Sequence, residues 1–185
     1  MKKLGDILKG VAGVMLLAAL VTASVTTILG GCRGKKEVVL PFETIERADI
    51  PGTGEEYEGE EPKLAIIADA TELDTLGNTV SLDAQAQLQD LDFDQYFAIV
   101  VFEGQHSDMP PLRSGVEVQR ISRKGSTITI YAHSYEPVEG YEQVIIKTSP
   151  YHLVKMRKGE NMQGEFQFVL GVDGTVVSQQ THRLP

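Results

Sequence analysis

The chain has 185 residues, one cysteine and a formal net charge of −9 at pH 7. This charge argues against nucleic acid as a partner, because phosphate binding needs clusters of Lys and Arg. It also argues against broad adsorption onto anionic lipid. With a single cysteine, no disulfide can form within the chain, so hydrophobic packing has to hold the fold.

The first 31 residues have the pattern of a secretory signal. Residues 2–9 carry three lysines and one aspartate, and an uncharged, mostly apolar run follows from Val11 to Leu29. A basic start, an apolar stretch and small residues before a cleavage site are typical of exported chains. The run ends in Leu29-Gly30-Gly31-Cys32, and this quartet resembles the lipobox of bacterial lipoproteins.

The lipobox resemblance implies cleavage between Gly31 and Cys32 and a diacylglyceryl group on the Cys32 thiol. It predicts a signal peptide over 1–31, a lipidated tether over 32–37, and an extracytoplasmic protein held at the cell membrane or outer membrane. An uncleaved anchor is the alternative, because about 20 apolar residues can span a bilayer, and the positive-inside rule then places the rest of the chain on the same side. Loss of residues 1–31 changes the formal charge from −9 to −11.

The remaining residues, 38–185, have the length of one domain. A first strand is predicted over Val38–Arg47, followed by an acidic, glycine-containing loop over 49–62, which could alternatively hold calcium. A buried strand is predicted over Lys63–Ala70 and a short helix over Leu82–Leu91, with Ser81 as its N-cap.

The second half of the chain has the alternation of half-buried strands. The most apolar run of the mature chain, Tyr96–Phe102, predicts a central strand, and a loop follows over Gly104–Ser114. Further strands and turns are predicted over Val116–Ile121, Lys124-Gly125, Thr127–Tyr131, Pro137–Gly140, Gln143–Lys147, Tyr151–Met156, Phe166–Leu170, Asp173-Gly174 and Val176–Gln180. The predicted fold class is therefore mainly β: an antiparallel sheet or sandwich of short strands with one short helix.

No catalytic or zinc-binding spacing surrounds the four histidines, and neither a cofactor nor a metal ion is expected. A hydrolase remains an alternative: it would need His133 or His152 near Ser134, Ser149 or Asp108. His106 and His182 complete the set of histidines. The acids of Asp90-Leu91-Asp92-Phe93-Asp94 resemble the start of an EF-hand loop, but the required glycine and bidentate glutamate positions hold Gln95 and Val101. We interpret these acids as a polar entry into a strand.

Three segments between Leu91 and Lys155 resemble the C-terminal domain of PrcB-like proteins, the accessory lipoprotein subunits of a bacterial surface protease complex. They are Leu91–Gly104, Gly115–Ile121 with the hairpin to Tyr131, and Ser149-Pro150-Tyr151-His152-Leu153-Val154-Lys155, which contains the family's Pro-Tyr-His motif. The stretch before the second segment, Leu112–Val116, lacks the paired glycines and the aromatic residue usual in the family. Residues 37–90 and 157–185 lie outside the resemblance.

The resemblance implies a non-catalytic module that binds or stabilises a partner protein, with a protease as the class of partner. Pro150, Tyr151 and His152 would then be either a contact surface or a structural motif that packs in the core. A partner-binding domain predicts an exposed apolar patch or a free strand edge. The alternative function, a surface lipoprotein that binds a small molecule or peptide, predicts a concave and mostly apolar pocket.

Overall fold

The computed structural model describes residues 35–48, 57–104, 115–135 and 149–185. Several predictions lie outside these residues: the signal peptide and Cys32, most of the acidic loop, the loop after Gly104, the turn at 137–140 and the strand at 143–147. Residues from Lys36 to Pro185 belong to one compact unit. Within the described ranges, no helix is long and apolar enough to cross a membrane.

Nine strands, one α-helix and one 3₁₀ helix make up the described part of the domain, which confirms the predicted mainly β class. The helices are the 3₁₀ helix Ala70–Thr75 and α1, Leu82–Gln89. The strands are β1 Val38–Leu40, β2 Glu43–Ala48, β3 Lys63–Ile67, β4 Tyr96–Phe102, β5 Gly115–Lys124, β6 Thr127–Tyr135, β7 Tyr151–Arg157, β8 Gly164–Val172 and β9 Thr175–Leu184.

The strands form two sheets, a five-stranded one in the order β1-β5-β6-β8-β9 and a four-stranded one in the order β2-β7-β4-β3. All pairs are antiparallel except β6 and β8, which run parallel. The prediction did not include a parallel pair. The two strands are not consecutive, because β7 lies between them in the sequence and belongs to the other sheet.

The predicted first strand, Val38–Arg47, is wrong as a single element. Pro41 and Phe42 separate β1, which pairs with β5, from β2, which pairs with β7. Proline has no N–H to donate to a ladder, so the chain changes sheets at this position. The two strands therefore connect the sheets along one side of the sandwich.

Apolar side chains from the facing surfaces of the two sheets form the main core. Phe97 and Ile99 of β4 meet Ile128 and Ile130 of β6 and Phe168 of β8, and all five are fully buried. The other surface of the four-stranded sheet packs under the helices in a second apolar cluster. The outer surface of the five-stranded sheet has no such layer over it among the described residues.

The predicted helix is confirmed, with its cap. The Ser81 hydroxyl accepts the backbone N–H of Ala84 at 3.0 Å, which satisfies one of the unpaired donors of the first turn. Leu88 and Ala84 are fully buried against the sheet. The Asp173-Gly174 turn between β8 and β9 is also present, and both residues have positive φ angles of 50° and 83°.

Candidate functional site

The Pro150-Tyr151-His152 motif lies at the start of β7, between β2 and β4 in the four-stranded sheet. The Pro150 carbonyl accepts the N–H of Glu103 at 2.9 Å, so the motif extends the ladder beyond the end of β4. Tyr151 and His152 are consecutive in a strand and therefore point to opposite surfaces of the sheet.

Tyr151 lies under the helices and is only 1% exposed. Its ring packs against Phe102, with 5.9 Å between ring centroids. Its hydroxyl oxygen accepts the backbone N–H of Ser81 at 2.8 Å, directly at the N-cap of α1. Burial raises the pKa of the Tyr151 hydroxyl, because the charged phenolate is poorly solvated there. Tyr151 therefore joins the sheet to the start of the helix.

His152 points toward the other sheet and is 3% exposed. Its Nδ1 accepts the backbone N–H of Val118 on β5 at 2.8 Å, and its Nε2 lies 2.9 Å from the Thr44 hydroxyl on β2. Because Nδ1 is an acceptor, the neutral ring carries its proton on Nε2 and donates to Thr44. One side chain of β7 thus connects three strands.

Both partners of His152 lie beside irregularities in their strands. The register shifts between Val118 and Arg120 on β5, and between Thr44 and Glu46 on β2. A bulge interrupts the regular ladder and reorients the groups beside it. The geometry therefore favours the packing interpretation of the Pro-Tyr-His motif over a contact surface, since both rings are inside the molecule.

A second polar group surrounds His133 on the outer surface of the five-stranded sheet. His133 Nδ1 lies 2.5 Å from Asp173 Oδ1, and the other carboxylate oxygen accepts the Ser134 N–H at 3.3 Å. The hydrogen bond with His133 lowers the pKa of Asp173. The edge of the His133 ring meets the ring of Tyr135, whose hydroxyl donates to the Glu117 carboxylate.

This group does not supply the geometry of a hydrolase. Ser134 follows His133 in the strand, so its hydroxyl points to the opposite surface, where it donates to the buried carboxylate of Glu103. The Ser149 hydroxyl is buried and has no hydrogen-bond partner in the described part of the chain. Asp108 and His106 lie outside the described residues.

His182, near the end of β9, faces the 3₁₀ helix. Its Nε2 lies 3.2 Å from Glu72 Oε1, an ion-pair distance without hydrogen-bond alignment. The other carboxylate oxygen of Glu72 accepts the N–H of Ala68 at 2.6 Å. These contacts attach the C-terminal end of β9 to the neighbouring helix.

The acids before β4 participate in a turn. The Asp92 carboxylate accepts the Asp94 N–H at 3.0 Å and the Gln95 amide at 2.7 Å, which leads the chain into the strand. Nearby, the Lys158 ammonium donates to the carbonyls of Ala68 and Phe93, and burial lowers its pKa. No group of three or more His, Cys, Asp or Glu within the described ranges is placed to hold a metal ion.

Two depressions lie near the helices. One, of about 250 Å³, separates the 3₁₀ helix from α1, and polar side chains such as Asp74, Asn78 and Gln85 line much of it. The other, of about 360 Å³, is bordered by Ile45, Asp90, Leu91, Asp92, Tyr96, Gln87 and Lys155. Ligand pockets are mostly apolar, and neither lining has that character.

The feature that sequence reasoning missed is the position of β9 at the edge of the larger sheet. β9 has ten residues, and no described strand pairs with its outer edge. Two exposed valines lie near its start, Val176 at 54% and Val177 at 36%. The alternating polar residues Ser178, Gln180 and His182 point inward, and this lack of a fully apolar side is the signal that could have indicated an edge strand.

No family model, curated protein or solved structure matches this chain. The PrcB-like resemblance therefore depends on the quoted segments alone.

Proposed function

We propose that the chain is a membrane-anchored extracytoplasmic lipoprotein with a non-catalytic protein-interaction domain, acting as an accessory or stabilising subunit of a surface protease complex. In this proposal residues 1–31 direct export and Cys32 carries the lipid. The observation that supports a binding function is the outer edge of β9.

The edge has the properties of a site for strand addition. A single bulge lies at Val177, and the strand is then regular from Ser178 to Leu184, with Arg183 as its only Lys, Arg, Asp or Glu. Natural sheets usually protect a long edge with charges, proline, bulges or a covering element. β9 has one bulge near its start and one such charge near its end, so the stretch between them offers backbone N–H and C=O groups to an extended segment of a partner.

Charge limits the partner's chemistry. The mature chain has a formal charge of −11, so an acidic segment would be repelled. We therefore expect an extended, neutral or basic segment rich in β-branched or polar residues. Its backbone would supply affinity, and the exposed side chains beside the edge would supply specificity.

The test compares Gln179→Lys on β9 with Gln167→Lys on β8. The two glutamines share a hydrogen bond of 3.3 Å, so both substitutions remove the same contact and add the same charge. Only Gln179 is on the edge strand. In native cells, we expect Gln179→Lys to reduce recovery of the surface protease with the tagged chain, whereas Gln167→Lys leaves it unchanged.

A photo-crosslinker at position 179 should give an adduct with the protease, and one at position 39 on β1 should not. Equal effects of the two lysine variants, or the absence of a protease from the position 179 adducts, would contradict the proposed function. The lipid is tested separately: Cys32→Ser should abolish incorporation of labelled fatty acid into the chain.

A further inference from the structure

The edge opposite β9 is formed by β1, the first strand after the expected lipid site. Only five residues lie between Cys32 and Val38, and the six residue steps of an extended chain span about 20 Å at most. If Cys32 is lipidated, as the proposed function requires, β1 is held close to the bilayer surface whatever path the tether takes.

The surroundings of β1 are basic, unlike the rest of the mature chain. The tether contains Arg33, Lys35 and Lys36, and the β5–β6 turn beside β1 carries the exposed Lys124. The nearest acid in the sequence is Glu37, whose carboxylate lies 3.3 Å from the Arg120 guanidinium. Because Glu37 and Arg120 neutralise each other, the lysines of the tether and of the β5–β6 turn give this region an excess of positive charge.

Two valines of β1 are unusually exposed. Val38 is 54% exposed and Val39 is 61% exposed, more than almost every other large apolar residue described. Apolar side chains beside lysines match the boundary between lipid headgroups and acyl chains. The combination is found on the one edge that the tether holds near the membrane.

We propose that β1 and the β5–β6 turn form a membrane-contacting surface that binds anionic lipid headgroups, so that the five-stranded sheet stands on the bilayer with β9 directed away from it. The contact is local. Charges farther than about 10 Å from a headgroup are largely screened at physiological ionic strength, so the acidic body does not cancel it.

The strand order determines where the β9 edge lies when β1 contacts the bilayer. Four strand spacings of about 4.8 Å separate β1 from β9, which places the β9 edge about 19 Å away across the sheet. An extended segment of a neighbouring protein can then reach β9 without passing between the domain and the bilayer. Docking through β1 would therefore present the proposed partner-binding edge.

The experiment uses the full lipidated chain on vesicles. Cys32 is the only cysteine, and its thiol is capped by the lipid, so Val39→Cys and Gln179→Cys each provide one site for a fluorophore. Quenching by nitroxide-labelled lipid is measured on phosphatidylcholine vesicles with and without phosphatidylglycerol. We expect strong quenching at position 39 only, and weaker quenching there when phosphatidylglycerol is absent.

Charge variants test the mechanism of docking. Loss of one basic residue near an anionic surface should lower the ratio of docked to undocked domain about fivefold. Lys36→Gln and Lys124→Gln should each lower quenching at position 39 accordingly. Arg183→Gln removes the same charge from the exposed surface of β9 and should leave it unchanged.

Equal quenching at positions 39 and 179 would overturn the inference, as would quenching at 39 that ignores both phosphatidylglycerol and the lysine variants. These outcomes leave the proposed function intact if the chain still floats with vesicles. A chain that lacks the lipid and does not float refutes both. Docking through β1 without any effect of Gln179→Lys on the protease refutes the function alone.

Discussion

His152 connects β7 to both neighbouring bulged strands, and its replacement by alanine should destabilise the domain strongly. The Val118 N–H would lose its acceptor in a buried site, which costs about 1–3 kcal/mol. The space left by the imidazole adds on the order of 1–2 kcal/mol. We therefore expect His152→Ala to lower the free energy of unfolding by about 2–5 kcal/mol.

Two matched variants separate the contributions of the two ring nitrogens. In His152→Asn, the amide oxygen can occupy a position near Nδ1 and accept the Val118 N–H, so this variant should recover about 1 kcal/mol relative to alanine. Thr44→Val removes only the hydroxyl near Nε2, which is partly buried. It should cost about 1 kcal/mol.

Urea denaturation of the compact unit from Lys36 to Pro185, followed by circular dichroism, measures these differences. Hydrogen exchange of the Val118 amide supplies an independent reading: protection should fall in His152→Ala and persist in His152→Asn. The reasoning fails if alanine lowers stability by less than about 0.5 kcal/mol, or if Val118 exchange is the same in every variant.

Three further substitutions give separate tests. Tyr151→Phe should lower the free energy of unfolding by about 1 kcal/mol. Because the folded-state pKa of Tyr151 is raised, this residue stabilises the fold below its ordinary pKa of about 10, and the contribution is lost as the pH rises through the raised value. The variant should therefore lose less stability at alkaline pH than the parent, as urea midpoints on both sides of this range would show. Gly104→Ala should destabilise more than Gly164→Ala in thermal unfolding, because both have φ near 100° (108° and 101°) but only the first would place its Cβ 2.3 Å from the Glu60 carbonyl. Asp173→Asn should reduce the loss of stability at acid pH. The lowered pKa of Asp173 stabilises the fold above the ordinary value of about 3.9, and this contribution is lost as the pH falls through the lowered value. Urea midpoints at acid pH that show no difference from the parent would contradict the reasoning.

Local pattern was enough to predict most individual elements. The apolar run Tyr96–Phe102 is a strand with those bounds, and Ser81 caps the helix that begins at Leu82. The Asp173-Gly174 pair forms the expected turn. In these cases the deciding interactions lie within a few residues of each other, so propensity and spacing contain the necessary information.

The sheet to which each strand belongs could not be predicted from local sequence pattern in the same way. The segments on either side of Pro41 were predicted as one strand, yet one pairs with β5 and the other with β7. The strands β6 and β8 are neighbours only because β7, which lies between them in the sequence, packs in the other sheet. The function of His152 as a connection between strands likewise requires Val118 and Thr44, which are 34 and 108 residues away.

The lengths of the edge strands indicate which of them can accept a partner. β1 has three residues and stops at Pro41, β3 has five, and β2 has six with a bulge between Thr44 and Glu46. Each offers a shorter regular ladder to an added strand than β9 does. β9 continues regularly from Ser178 to Leu184. Strand addition is therefore expected at β9, at the opposite edge of the five-stranded sheet from β1, and a lipid contact at β1 and a protein contact at β9 would not compete for the same surface.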